Sequence, residues 1–142
     1  MSPTSITIHS TANPKSTAIQ ERNWLVNPLN TRDANWHIAI DDGMAVEAIP
    51  LNEVAYHAGD YTGNRTSIGI EICESGDREK TLNNSAIVVA KLLKKYGWGT
   101  DKLKRHYDWS GKNCPRILNI TLDWSGWTAF KLLVDEKLKE MD

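Results

Sequence analysis

His106 and Cys114, with seven residues between them in the run Lys104-Arg-His-Tyr-Asp-Trp-Ser-Gly-Lys-Asn-Cys-Pro115, place an imidazole and a thiol on one polar segment. Gly111 allows that segment to turn and Pro115 stiffens its exit, so the two side chains can close on one metal ion. Zinc, a borderline-soft ion, accepts both imidazole nitrogen and thiolate sulfur. A structural zinc site would need four protein ligands, whereas a catalytic one keeps three and leaves a position for water. The third ligand must come from elsewhere, and the remaining histidines are His9, His37 and His57. Without a metal, the same pair would be a surface histidine and a buried free cysteine.

Two more residues carry potential chemistry. Glu71 interrupts the apolar run Ser67-Ile-Gly-Ile-Glu-Ile-Cys73, where a carboxylate is costly to bury unless it is paired or has work to do. In a metal cleft its pKa would rise and it would serve as a general base; at an open sheet edge it would simply be solvated. Lys112 lies on the metal segment itself, where an ammonium can stabilise an oxyanion; as an ordinary surface lysine it would have no such role.

Positioning these residues requires interleaved strands and helices. Ile6 to Ile8 alternates as a strand ending at His9, a place from which side chains of an α/β sheet project into a cleft. Ser16 to Leu25 reads as a helix stopped by Asn27-Pro28. Asn35 to Ile40 and Met44 to Ile49 form a hairpin around Asp41-Asp42-Gly43. Leu51 to Arg65, with Gly59, Asp60, Gly63 and Asn64, reads as a long loop of functional type. Ser67 to Cys73 reads as a central strand covered on both faces. Leu82, Ala86, Val89, Leu93 and Tyr96 recur at helical spacing before a closing Gly97. Lys102 to Arg105 is a short strand feeding the His106 loop. Trp127, Phe130, Val134 and Leu138 mark a last helix opened by Asp123 or Ser125. The class is α/β, a mixed central sheet with helices packed on its faces. In this frame His37, inside a strand, reads as a core histidine, and His57, on the long loop, as a residue lining a substrate groove.

The segment His106-Tyr-Asp-Trp-Ser-Gly-Lys-Asn-Cys-Pro-Arg116 resembles the C-terminal zinc motif of zinc-dependent N-acetylmuramoyl-L-alanine amidases, the phage endolysins and bacterial autolysins related to peptidoglycan recognition proteins. Three further segments resemble the same family in the same order: Ile6-Thr-Ile-His-Ser-Thr-Ala-Asn13, Ile49-Pro-Leu-Asn-Glu-Val-Ala-Tyr-His-Ala-Gly-Asp60 and Gly63-Asn-Arg-Thr-Ser-Ile-Gly-Ile-Glu-Ile-Cys73. The resemblance implies the fold of that family and one zinc ion per chain, with His9 as the third ligand beside His106 and Cys114. It implies Glu71 as general base and strengthens the oxyanion role of Lys112. It also implies a substrate, the amide between N-acetylmuramic acid and L-alanine in peptidoglycan. The chain departs from some relatives at Trp36, where they carry a catalytic tyrosine, and that shifts acid–base work onto Glu71. Two imidazoles and one thiolate leave a formal charge of +1 at the zinc centre, enough to acidify a bound water.

Composition sets the outer limits. The 142 residues suit one domain, here a single catalytic domain over 1–142, and 40% hydrophobic with 25% charged residues is ordinary for a globular chain. A net charge of −1 gives no electrostatic case for nucleic acid, and no apolar stretch reaches the roughly 20 residues of a membrane span. No obligate protein partner is implied, and bacterial peptidoglycan is the expected partner. The N-terminus lacks the basic and apolar regions of a signal peptide, so the expectation is cytoplasmic synthesis and action on the wall, or a signal already removed. Cys73 reads as a free buried strand residue, not a disulfide partner of Cys114. Six tryptophans divide into Trp98, Trp124 and Trp127, expected in the core, and Trp24, Trp36 and Trp109, expected in a cleft where indoles stack on sugars; Trp36, His57 and Trp109 are the expected substrate contacts. Two other functions compete. A muropeptide-binding module of the same fold would usually lack the cysteine ligand. A cysteine hydrolase with Cys114 as nucleophile would resist chelation.

Overall fold

Strict alternation in Ile6-Thr7-Ile8-His9 and Ile68-Gly69-Ile70-Glu71-Ile72 sends isoleucines to one side of a sheet and small or polar residues to the other. In a computed structural model describing Met1–Asp142, these runs are β1 (Ser5–Ser10) and β4 (Ser67–Ile72), parallel neighbours at the middle of a five-stranded sheet. Ile8 pairs with Ile70 and His9 with Glu71. β5 (Leu103–Arg105) runs parallel to the other side of β1. β2 (Ile38–Ile40) lies parallel to β4 and carries the antiparallel edge strand β3 (Ala45–Glu47), giving the order β3-β2-β4-β1-β5.

The isoleucine face holds the main core. Ile6, Ile8, Ile40, Ile68, Ile70 and Ile72 are fully buried with Val89 and Leu93 of α3 (Arg78–Tyr96) and Val134 of α5 (Ser125–Glu140), and Phe130 of α5 is buried beside them. Each such side chain contributes on the order of 1.5–3 kcal/mol by leaving water. On the opposite face Ala39 and Cys73 meet Trp36 and Ala18, the latter at the start of α1 (Ala18–Leu25). Thr17 and Gln20 close a capping box on α1, and Asp41 accepts from Ala18 N at 2.9 Å, tying the helix to the hairpin turn. The remainder of this face is polar: Thr7, His9, His37, Ser67 and Glu71 are all buried.

Several expectations change. The central strand is covered on both faces as expected, but its residues alternate, with isoleucines on one side and Ser67, Gly69 and Glu71 on the other, so its second face is the chemical one. The Leu51–Arg65 segment is not all loop, because Asp60 caps a short α2 (Tyr61–Thr66) by accepting from Gly63 N at 2.8 Å. His106 opens a helical turn, α4 (His106–Ser110), closed by Gly111 in the left-handed conformation, so the metal segment is half helix. The hairpin strands are shorter than the alternation suggests. α3 starts at Arg78, earlier than its apolar positions, because Asp77 accepts from Lys80 N at 3.0 Å. Trp124 occupies the N-cap of α5 with φ 59°, and Asp123 Oδ1 accepts from Ser125 N at 3.0 Å. Cys73 is free and buried, as expected.

Candidate metal centre

Three parallel strands point their C-terminal ends the same way, and the chemistry collects there. β1 carries His9 one residue from its end, β4 carries Glu71 beside it, and His106 follows β5 directly. Cys114 enters from the segment after α4, where Tyr107 N donates to its carbonyl at 3.1 Å. Arg116, just beyond, forms a two-pronged ion pair with buried Glu74 at 2.6–3.0 Å. Glu74 also accepts from Ala12 N at 2.9 Å, so one carboxylate joins the end of β4, the turn after β1 and the exit from Cys114. Neither Glu74 nor Arg116 was singled out from sequence; an acid next to a strand end and an arginine after the Cys-Pro pair were the only signals.

The ligand atoms of His9, His106 and Cys114 all lie within 4.8 Å of one another. His9 Nδ1 is 3.1 Å from His106 Nδ1 and 3.7 Å from Cys114 Sγ. A tetrahedral ion with bonds of about 2.0–2.1 Å to nitrogen and about 2.3 Å to sulfur separates two nitrogens by about 3.3 Å and nitrogen from sulfur by about 3.6 Å. The Ala58 backbone engages the His106 ring, leaving Nδ1 to face His9. Two imidazole nitrogens and a sulfur converging at these distances fit one divalent ion, and the mixed nitrogen–sulfur set suits a borderline-soft one.

Burial shapes the charge states. It lowers His106 to about 4, with Lys112 adding to the effect, and holds His9 well below the usual imidazole range, with His57, His106 and Lys112 contributing. Neutral imidazoles are the form that ligates metal. Burial pushes the Cys114 thiol up to about 12; a cation held in the cluster would reverse that preference by pairing with the thiolate. Glu71 rises to about 8, first through burial and then through Glu21, with Lys112 and Arg32 opposing.

A cleft of about 460 Å³ opens over this cluster. Glu71 and Lys112 line it with the three metal-site residues, and Trp24, Arg32 and Trp36 form part of its wall. Trp36 and His57 are therefore at the cleft as expected, although His57 is buried and both its nitrogens are engaged within the protein. Trp109 is elsewhere. It does not line the cleft; its Nε1 donates to Thr7 Oγ1 at 2.9 Å, and its ring packs over Gly63. The polar face of β1 captures this indole through a hydrogen bond, which single-residue reasoning had no means to see. His37 is a core residue, accepting from Gly69 N at 2.9 Å, with Glu53 O 2.7 Å from its other nitrogen. Trp127 is buried, and Trp98 and Trp124 are partly buried against the main core.

A family model described as N-acetylmuramoyl-L-alanine amidase matches residues 1–117. The chain belongs to this family. It is 42% identical, over 96% of its length, to the N-acetylmuramoyl-L-alanine amidase CwlA of Bacillus subtilis, and 41% identical over 97% to XlyB of the same organism. It spans 50% and 44% of those proteins, about half the length of these relatives. Among solved structures, the catalytic domain of XlyA superposes with a TM-score of 0.85 at 38% identity, covering 94% of this chain and 87% of that one. PlyL gives 0.84 at 35% identity, covering 95% and 85%. The family's fold is thus the mixed sheet described above, and its matched span contains His9, Glu71, His106, Lys112 and Cys114. No helix of the chain is long and apolar enough to cross a membrane.

Proposed function

We propose that residues 1–142 form one catalytic unit that hydrolyses the amide between N-acetylmuramic acid and L-alanine in bacterial peptidoglycan, with one zinc ion held by His9, His106 and Cys114. The observation that carries this reading is the convergence of the three ligand atoms at the base of a cleft that also presents Glu71 and Lys112. Family membership supplies the substrate class. A zinc ion at such a site supplies a Lewis acid and a bound water of lowered pKa.

The chain's own residues then have defined tasks. Glu71, carried beside His9 by the β1–β4 register, accepts the proton of the attacking water and returns it to the departing L-alanine amine. Its environment favours the protonated acid, which suits the second half of that exchange. Lys112 offers an ammonium to the developing oxyanion. Trp24 and Trp36 give apolar wall to the cleft, where a sugar face can stack; Trp24 is 40% exposed and Trp36 only 9%, so Trp24 presents the larger surface.

The test couples metal content with bond cleavage. Purified protein is expected to carry one zinc per chain, and peptidoglycan treated with it should lose turbidity and gain free L-alanine amino termini. Chelation should abolish cleavage and zinc should restore it. New reducing sugar ends without new amino termini would refute the bond assignment. Cleavage that survives chelation but stops with iodoacetamide would favour Cys114 as nucleophile.

A further inference from the structure

His57 sits at the edge of the cleft, where a groove residue would offer substrate a ring nitrogen, yet neither nitrogen is free. Nδ1 lies 2.9 Å from His9 Nε2, and Nε2 lies 3.2 Å from the Ser67 carbonyl oxygen. A carbonyl only accepts, so His57 carries its proton on Nε2 and its Nδ1 is an acceptor. The proton between the two rings then belongs to His9 Nε2. His9 Nδ1 is left with a bare lone pair, 3.1 Å from His106 Nδ1 and 3.7 Å from Cys114 Sγ. The opposite assignment would set the His57 Nε2 lone pair against the Ser67 oxygen with no proton between them.

The seat of this ring is built with equal care. Asn64 Oδ1 accepts from His57 N at 2.9 Å and Ala58 N at 2.7 Å, fixing the backbone. Beneath the ring lies Gly69 of β4, where a Cβ would stand 2.8 Å from His57 Cγ and 2.9 Å from Cδ2. Gly69 is needed there for room.

We propose that His57 is a positioning residue of the metal centre: seated on Gly69, it accepts the Nε2 proton of His9 and so fixes the tautomer and orientation in which His9 presents Nδ1 to the ion. The proposal rests on His9 being a metal ligand. Hydrogen-bond partners of ligating histidines typically change metal affinity by about 10- to 100-fold.

An amide swap at position 57 separates this role from simple packing. The Asn side-chain oxygen in His57→Asn stands near the place of Nδ1 and can still accept from His9; the Gln amide in His57→Gln reaches the place of Nε2 and serves Ser67 instead. Zinc titrations of metal-free protein against a chromophoric chelator should show about 10- to 100-fold weaker binding for His57→Gln and Gly69→Ala, with His57→Asn recovering most of the loss. Long-range nitrogen–proton spectra of the metal-free wild-type protein should show both His9 and His57 as Nε2–H tautomers, a readout that needs no variant. Equal zinc affinities in all four proteins, or a His9 protonated on Nδ1, would overturn the proposal alone. A wild-type chain that takes up no zinc would remove the proposed function with it.

Discussion

Glu71 couples the two roles a buried carboxylate can have. Its folded pKa of about 8 stands above the ordinary 4.5, so the unfolded chain releases this proton first as pH rises. In metal-free protein its contribution therefore favours folding below about 4.5 and is lost progressively up to about 8. Glu71→Gln should flatten that segment of a stability–pH profile measured by denaturant midpoints. The same substitution should lower turnover by about 100- to 10,000-fold with zinc content unchanged. Near-normal lysis by Glu71→Gln would remove the carboxylate from the mechanism. Lys112→Ala should lose less, since the ion also stabilises the oxyanion. The histidines act at lower pH. His57 and His106 both fall to about 4 from 6.5, so the unfolded chain takes up protons first and their contribution to metal-free stability disappears as pH falls from 6.5 to 4. Residue types marked these positions because a glutamate among isoleucines and a histidine–cysteine pair are chemically conspicuous, and the structure brings them to one cleft. The task of His57 was not legible, because it depends on which carbonyl its second nitrogen meets.

Secondary-structure elements explain why positions were harder to read than identities. Period-two alternation made β1 and β4 readable as strands, and β4 is buried on both faces as its apolar run implies, but the parallel register that sets His9 beside Glu71 on a common polar face leaves no local signal. α4 escaped notice because five residues are too few for a periodic signal. Gly63 illustrates the packing that follows. A Cβ there would stand 2.7 Å from both Ala58 Cβ and the Trp109 ring, and Trp109 is anchored to Thr7. Gly63→Ala should cost about 1–3 kcal/mol, measured by denaturant unfolding, since the indole cannot give way without losing its hydrogen bond. A neutral result would mean that α2 shifts freely against α4. On the other face, Ile70→Ala should cost about 2–5 kcal/mol while zinc affinity stays within a few-fold of wild type.

At the scale of the whole molecule, the sheet separates stability from chemistry. The isoleucine face, with α3 and α5, forms a core of 18 buried residues that contains no metal-site residue. Chelated protein should therefore keep its far-ultraviolet circular dichroism and unfold cooperatively. Zinc should raise the midpoint in proportion to the logarithm of its concentration above the dissociation constant. Collapse of secondary structure on chelation would show that the ion holds the fold together. Fold class was legible here because interleaved strand and helix patterns narrow the architectures. The strand order was not, since long-range pairing leaves no local trace in sequence.

The site draws its parts from far along the chain: His9 meets His57 across 48 residues, His106 across 97 and Cys114 across 105. A zinc finger whose ligands all sit close in sequence can nucleate on its ion, whereas here only His106 and Cys114 share a segment and His9 must be brought to them by the pairing of β1. The loops that join its ligands must be closed by strand pairing before the ion has three donors to meet. Refolding with and without zinc should therefore proceed at the same rate, with metal uptake as a separate later phase. Under the proposed function, catalytic competence becomes a matter of timing: the site is complete only once the Cys114 segment has docked beside His9, and metal uptake is the last step of maturation.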